Sequence, residues 1–356
     1  MSPIAKCQGY LQHAVRRRVH PGTIRRNSAQ FGAIPSTPAH HLHRYQASVV
    51  SYLLQTAAAG RTPNPDILCN SRIKFGVFHE RVGRHFAAVA SGHYARTSRD
   101  PPPLPARHSS IKLPAPVQLL RAVDDHKDQT YFLSQLAQPA LAHALFPVGG
   151  YAKAEVRALA ERHRLPTMKR KDSQGICFLG QLDYDAFLRA HLGEAPGEIR
   201  EHESGALIGE HKGLWFHTIG QRKGLGPHLH NAHAARGPWH VTRKEIDSNV
   251  LYASRDYTSK DKPRDTFSVG GLNWVSGAPP ETLLRSGDEV KLQVKVRHGA
   301  AIHDAAVALA TTTPGGGGGA RVRLADRDKG LAPGQFAAFF DGEVCLGSGV
   351  ITDEGL

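Results

Sequence analysis

The feature that most constrains the fold of this chain is a change of pattern near residue 200. Before it, segments of helical period alternate with short apolar strands; after it come short strands, many glycines and alternating apolar residues. Strands and helices that alternate in sequence build an α/β domain with a doubly wound sheet, whereas strands in succession close into sandwiches or barrels. Val49, Val50, Tyr52, Leu53 and Leu54 mark a helix over 45–59 that ends near Gly60, and a second helix is expected over 75–85. Phe86–Ala90 and Val117–Val123 read as strands, separated by a polar, proline-rich excursion over 98–116. Further helices begin at Asp128 and span 153–163. Trp215–Ile219, Trp239–Thr242 and Val250–Ala253 are expected as strands of a small middle domain. Val290–Arg297, Ala305–Ala310, Arg321–Leu324, Gln335–Phe340 and Val344–Ile351 would form a terminal barrel, with a flexible loop at Gly315–Gly319. The expected domains are a basic leader over 1–44, an α/β domain over 45–200, a β-rich domain over 201–265 and a β-barrel over 266–356.

Charge narrows the partner. Lys and Arg number 45 against 31 Asp and Glu, a formal net charge of +14. A surface of that sign attracts polyanions, and nucleic acid is the commonest. Part of the excess comes from the first 65 residues, which contain no acid at all. The leader, with Arg16, Arg17, Arg18, Arg25, Arg26 and Arg44, has the composition of an organelle transit segment; an unstructured basic extension or misread coding sequence is the alternative. No apolar run approaches the roughly 18 residues of a bilayer span, so a soluble chain without a membrane partner is expected. Four unevenly spaced cysteines do not make a disulfide framework, which suggests a reducing compartment or thiols kept for chemistry. The histidines are scattered and no Cys-x-x-Cys occurs, so no metal site is expected.

Two of the cysteines stand in well-defined loops. Cys69 follows Thr62-Pro63-Asn64-Pro65-Asp66-Ile67-Leu68, and Cys177 sits in Lys171-Asp172-Ser173-Gln174-Gly175-Ile176-Cys177-Phe178. Such a pair can carry sulfur, one as a persulfide and the other to resolve it; two buried structural cysteines are the other reading. Pro63 and Pro65 stiffen the first loop, Asp66 can shuttle a proton beside a thiol, and Lys74 would offset its charge. Lys169, Arg170 and Lys171 ahead of Cys177 can lower a thiol pKa or hold phosphate, or form a solvated run. Ser91-Gly92-His93-Tyr94 follows a strand, where open α/β sheets bind ligands and a glycine lets a nucleotide approach the backbone. In Lys127-Asp128-Gln129, Asp128 can also act simply as a helix N-cap. Gly220–Gly226 is a glycine-bounded basic turn that contacts RNA backbone or shapes the chain.

Taken together these stretches resemble the tRNA-specific 2-thiouridylases. The likeness rests on Gly60–Asn70, Ile73-Lys74-Phe75, Ser91–Arg96, Lys127–Leu133, Phe146–Gly149, Lys171–Phe178, Thr218–Gly226, Pro333-Gly334-Gln335 and Gly342–Gly347, in order from about Tyr45 to Ile351. The resemblance implies a first domain of the adenine nucleotide alpha hydrolase type. It implies that ATP, with Mg2+, adenylates O2 of uridine 34 and that a cysteine persulfide then delivers sulfur as AMP leaves. On this likeness Cys177 is the persulfide carrier and Cys69 its partner nucleophile, through a transient disulfide. Asp66 is the acid/base group, with Asn64 and Pro65 lining the same pocket. Gly92 touches ATP. His93, Lys127, Asp128, Gln129, Arg297, His298 and Gln335 contact tRNA, although a tyrosine is more usual at the position of His298. Cys345 falls in a barrel strand and is expected to be structural. The implied partners are the tRNA anticodon stem-loop and a persulfide donor such as a cysteine desulfurase relay. Mitochondrial relatives and the leader suggest a mitochondrial address, with cytoplasm or plastid as alternatives.

In one respect the sequence departs from the family. The Ser-Gly-Gly-x-Asp-Ser loop that grips the ATP phosphates is not found in it, and Gly149-Gly150 and Gly270-Gly271 have the wrong neighbours. The expected α/β domain is therefore partial, from an incomplete gene model or a degenerate paralogue. Two functions remain open: a tRNA uridine 2-sulfurtransferase, or a tRNA-binding or sulfur-relay protein unable to adenylate.

Overall fold

The computed structural model describes residues 44–99, 116–170, 183–256, 264–285, 289–310, 318–328 and 330–353. Cys177 and Lys171, most of the leader, most of the proline-rich excursion and most of the Gly315–Gly319 loop lie outside the described residues.

The first domain opens with wide π-type turns over Gln46–Val50 that run into an α-helix, Ser51–Ala58. Its buried side is Val49, Leu53 and Ala57, a spacing of four that lines one helical face. A second rod begins at Pro65, where the fixed proline φ suits the first helical position, and passes through Cys69–Val77 to Phe78–Arg81. Short helices at Thr130–Leu133 and Gln138–Ala142 and longer ones at Lys153–Arg162 and Tyr184–Leu192 follow. Asp183 caps the last by accepting from the Ala186 N–H at 3.0 Å.

The parallel sheet of this domain is small among the described residues. β1 (Val89–Ala90) pairs with β4 (Ala144–Leu145) in parallel. The strand expected over 86–90 is thus two residues long. The one expected over 117–123 shrinks to β3 (Leu119–Leu120), which pairs antiparallel with β2 (Arg96–Thr97) and with the barrel instead of joining β1.

The middle domain is a four-stranded sheet of β5 (Gly197–Glu201), β6 (Leu207–His211), β7 (His240–Glu245) and β8 (Val250–Ser254), in the order β6-β5-β8-β7. β5 straddles residue 200 and belongs wholly to this sheet. The strand expected at Trp215–Ile219 is instead a 3-10 turn, Leu214–Phe216. Its Trp215 and Phe216 pack on Leu53, Ala57, Leu188 and Phe187, so hydrophobic demand from two neighbouring helices overrides strand propensity.

Six antiparallel strands close the barrel: β9 (Arg264–Trp274), β10 (Val290–Lys295), β11 (His303–Ala310), β12 (Gly319–Asp328), β13 (Phe336–Asp341) and β14 (Val344–Ile351). β13 pairs with both β10 and β14, which completes the ring. β13 is buried on both faces. Ala337 and Phe339 fill the barrel, while Phe336, Ala338 and Phe340 join Ile67, Phe75, Tyr131, Leu133 and Phe146 in the core of the first domain. Strand period two thus sends alternate residues of one strand into two cores, and barrel and α/β domain share a common hydrophobic seam.

Candidate active site

The loop from Gly60 to Asn64 is held by the other two domains at nearly every residue. Gly60 adopts φ +68 and closes the helix Ser51–Ala58, its N–H bonding the Ala57 carbonyl at 2.9 Å. Its own carbonyl accepts from Lys244 Nζ of β7 at 3.1 Å. Arg61 pairs with Asp353 beyond β14, Nε to Oδ2 at 2.9 Å. The Thr62 N–H donates to the Pro333 carbonyl at 2.8 Å. Gln335 Nε2 reaches the Pro63 carbonyl at 3.5 Å, and Asn64 Nδ2 donates to Gln335 Oε1 at 3.3 Å and to the Tyr131 hydroxyl at 3.5 Å. Gly334 sits at φ +92, and a Cβ there would stand 2.8 Å from the Thr62 carbonyl oxygen, so only glycine lets the barrel approach this closely.

This clamp gives Gln335 a structural task, since its amide ties the loop to the barrel. It also identifies two groups the sequence did not single out. Tyr52 donates to the Gly334 carbonyl and accepts from the Asn64 N–H, both at 3.4 Å. Tyr131 donates to the Phe336 carbonyl at 3.2 Å, and burial pushes its phenol well above the usual value. Both phenols are neutral hydrogen-bonding groups at physiological pH.

Beyond the clamp the chain enters its helix. Pro65 and Asp66 lie in the first turn, and the Asp66 carboxylate, partly exposed, is stabilised there by the free backbone N–H groups. Cys69 comes one turn later and is wholly buried, packed with Tyr45, Val49, Val50 and Ile73. The buried alternative therefore describes Cys69 in this conformation: the turns that begin at Tyr45 roof the thiol. Asn70 follows and donates to the Phe132 carbonyl at 3.0 Å, while its own Oδ1 is buried without a partner.

Phe132 links this loop to the barrel's outer edge. His298 stacks on its ring with centroids 5.8 Å apart, and Arg297 beside it is exposed and pairs with Asp328 at 2.6 Å. Beneath them Lys295 and Asp128 form an ion pair at 2.9 Å with neither side chain exposed to solvent. Asp128 Oδ1 accepts in addition from the N–H groups of Ala122 and Thr130 and from the Thr130 hydroxyl. Its carboxylate is thus consumed inside the protein, where it fixes the positions of Lys127 and Gln129 at the surface. Neither the buried lysine nor its role had a sequence signal, because Lys295 falls in a strand pattern that reads as ordinary alternation.

Gln129 in turn holds the loop after β1. Its N–H donates to the Tyr94 carbonyl at 2.8 Å and its Oε1 accepts from the Tyr94 N–H at 2.9 Å. His93 lies between Phe75 and Phe146, with Ser91 Oγ 2.7 Å from Nδ1. Burial, aided by the positive Lys74, pushes His93 down to about 3, so the imidazole is neutral. Gly92 is exposed, and a Cβ there would meet nothing within 4 Å. Packing does not explain this glycine; an open backbone edge remains for a ligand.

The structure therefore joins Asn64, Pro65, Asp66, Cys69, Gly92, His93, Lys127, Asp128, Gln129, Arg297, His298 and Gln335 through direct contacts and shared segments, while Cys177 lies outside the described residues. Among those residues no three His, Cys, Asp or Glu side chains group as a metal site, and no helix is long and apolar enough to cross a membrane.

Residues 24–181 match a family described as tRNA methyl transferase HUP domain, 185–255 its PRC-barrel domain, and 264–351 an aminomethyltransferase beta-barrel domain. The chain is 40% identical over 319 residues to tRNA-specific 2-thiouridylase MnmA 2 of Bacteroides fragilis, covering 87% of this chain and 80% of that protein. It is 38% identical over 312 residues to MnmA of Parabacteroides distasonis, with 87% and 79% covered, and 39% identical over 315 residues to MnmA of Porphyromonas gingivalis, with 87% and 80% covered.

Proposed function

Because this chain belongs to the tRNA-specific 2-thiouridylase family, we propose that it replaces O2 of uridine 34 in tRNA by sulfur carried as a persulfide on Cys177. One observation carries the reading: four motifs far apart in sequence meet on one face through the contacts of Gln129 with Tyr94, Asn70 and His298 with Phe132, and Lys295 with Asp128. On this reading Lys127, Gln129, Arg297 and His298 contact the RNA, and Asp66 exchanges a proton beside the base.

The sulfur step balances with the two thiols alone. The Cys69 thiolate attacks Sγ of the Cys177 persulfide, and the bond from Sγ to the terminal sulfur breaks. That sulfur leaves with the electron pair and bonds C2 of a uridine whose oxygen has been activated; the C2–O bond then breaks, the oxygen departs with its electron pair on the activating group, and a Cys69–Cys177 disulfide remains for an external dithiol to reduce. With Cys69 under Tyr45 and Val49, the roof must lift first. ATP is the activator that the family resemblance implies. The described residues do not fit its phosphates: Gly92 offers a backbone edge, but the Ser91 hydroxyl is turned onto His93 and no cradle of amides adjoins it. No activation step is therefore assigned to residues of this chain.

That missing cradle favours a second reading, a tRNA-docking or sulfur-relay protein that works with a separate adenylating partner. Purified chain, tRNA transcript, ATP with Mg2+ and a persulfide donor decide between them by mass analysis of the digested nucleosides. The first reading expects 2-thiouridine, abolished by Cys177→Ser. tRNA binding without thiolation until an intact amino-terminal half is supplied would establish the second, and a methylated nucleoside would overturn both. The arginine-rich, acid-free leader supports a mitochondrial address, which import of a fluorescent fusion of residues 1–44 tests.

A further inference from the structure

Lys244 has no part in any motif that carried the family resemblance, yet it makes a hydrogen bond from the middle domain to the start of the loop that leads to Asp66 and Cys69. It stands on β7, largely buried, and its ammonium donates to the Gly60 carbonyl at 3.1 Å. Gly60 is the left-handed residue that ends the helix Ser51–Ala58, where unsatisfied carbonyls gather negative partial charge. Ile246, two residues on, seals the other side: a Cβ on Gly60 would stand 2.9 Å from Ile246 Cγ1. No carboxylate among the described residues pairs with Lys244. Glu245 is taken by Arg243 at 3.2 Å, and Asp353 by Arg61. A buried ammonium that meets only a neutral carbonyl is unfavourable for folding, and methionine would fill the same space without that penalty. What the bond supplies instead is a tie between β7 and the end of the helix Ser51–Ala58.

We propose that Lys244 is a positioning residue: with Ile246 it latches Gly60 to the middle domain, so that Arg61–Asn64 lie on the barrel and the helix start that carries Asp66 is held in place for the target base. The loop is then fixed at its start by one domain and along its length by another. Release of the start leaves Thr62, Pro63 and Asn64 bound to Pro333 and Gln335 but lets the helix Ser51–Ala58, which continues the turns that roof Cys69, shift against them. The role in catalysis rests on the sulfur-transfer reading; the latch itself does not.

The test therefore uses two readouts on the full chain. Hydrogen exchange of the Gly60–Cys69 amides reports the latch, and single-turnover thiolation at saturating tRNA reports its consequence. Lys244→Met is expected to keep or raise the urea midpoint, to speed exchange of the loop amides about tenfold relative to barrel amides, and to lower kcat with KM for tRNA unchanged. Lys244→Arg, which restores a donor, is expected to recover both in part. Unchanged loop exchange, or faster exchange with unchanged kcat, would overturn the proposal. If the wild-type chain does not thiolate, the function reading fails and exchange alone decides the latch.

Should Lys244→Met fail to fold, the wild-type protein supplies the same readout. Desolvation pulls Lys244 down to about 8, so raising the pH from 7 to 9.5 discharges it. Of the groups that face it, His211, His217 and His228 are already neutral in that range because burial lowers them. Tyr52 on the adjoining helix is held above its usual value by burial, and Arg61 stays paired with Asp353. Loop exchange that accelerates beyond the intrinsic pH effect supports the latch; loop and barrel amides that respond alike refute it.

Discussion

The ion pair between Lys295 and Asp128 makes a quantitative and asymmetric prediction. Both side chains are fully buried, 2.9 Å apart, at the junction of barrel and α/β domain. Removing one partner of such a pair strands a charge and costs about 3–5 kcal/mol. The two stranded charges are not equivalent. Without Lys295, Asp128 keeps three donors from Ala122 and Thr130 and a guanidinium, Arg121, at 3.8 Å. Without the carboxylate, Lys295 keeps only the Gly299 carbonyl at 3.2 Å and the face of Phe340 at 5.9 Å. Lys295→Met should therefore fall near the low end, about 3 kcal/mol, and Asp128→Asn near the high end, about 5 kcal/mol. The double variant Lys295→Met with Asp128→Asn should be less damaging than the sum of its singles by about 2 kcal/mol or more, the sign of direct coupling. Urea unfolding monitored by tryptophan fluorescence gives all the values. Equal single losses would refute the asymmetry, and an additive double would refute the pairing. Because Asp128 fixes Lys127 and Gln129, Lys295→Met should also weaken tRNA binding, while the conservative Lys295→Arg should weaken it less.

Other perturbations read other parts of the account. Gly334→Ala should lose about 1–3 kcal/mol of stability, from a left-handed φ of +92 and a Cβ 2.8 Å from the Thr62 carbonyl; a urea midpoint equal to wild type would contradict the close approach. Cys69 should resist iodoacetamide in the native protein and label about tenfold faster in Tyr45→Ala, which opens its roof; fast labelling of the wild type would show that the roof is absent in solution. His217 is buried with both ring nitrogens unpartnered, and burial followed by the charges of His211, His228 and Lys244 pushes it down to about 3. A histidine lowered in the folded state contributes stability above about pH 6.5 that is lost as pH falls from there toward 3, roughly 2 kcal/mol for this ring by pH 5. His217→Phe should flatten that acid slope in urea midpoints; an unchanged slope would place the proton elsewhere.

Much of this architecture was legible from residue types. Period-two alternation located five of the six barrel strands. It missed β9, whose Gly270-Gly271 and polar residues hide a long strand that bends between β12 and β14. β5 and β6 were missed because they are short, half-polar strands on a small sheet, and their residues enter only one core. Trp215 and Phe216 look like strand residues, but their partners are helices contributed by another domain. The first domain misled in a different way: β3 satisfies the strand pattern expected over 117–123, yet it pairs with β14 of the barrel and with β2. Local pattern reports that a segment is extended and says little about which sheet will take it.

The site divides along the same line. Asp66, Gly92, Lys127, Gln129, Arg297 and His298 stand in short local motifs, so sequence alone could nominate them as candidates. Residues that act by holding others were not nominated. Lys244, Lys295 and Tyr131 owe their roles to partners from 67 to 205 positions away, and Tyr52 ties Asn64 to Gly334, 282 positions from itself; no local pattern encodes such pairings. Asp128 and Gln335, nominated by motif as RNA contacts, also bind inside the protein, to Lys295 and Asn64, which no local pattern shows.

The account stands most directly on the exchange of sulfur between two thiols. The measurement is peptide mapping of the chain quenched with alkylating reagent after reaction with a persulfide donor and tRNA. A Cys69–Cys177 disulfide that accumulates with thiolated tRNA and vanishes in Cys69→Ser, leaving the persulfide on Cys177, is the predicted result. Undiminished thiolation by Cys69→Ser, or a persulfide that forms without Cys177, would contradict it.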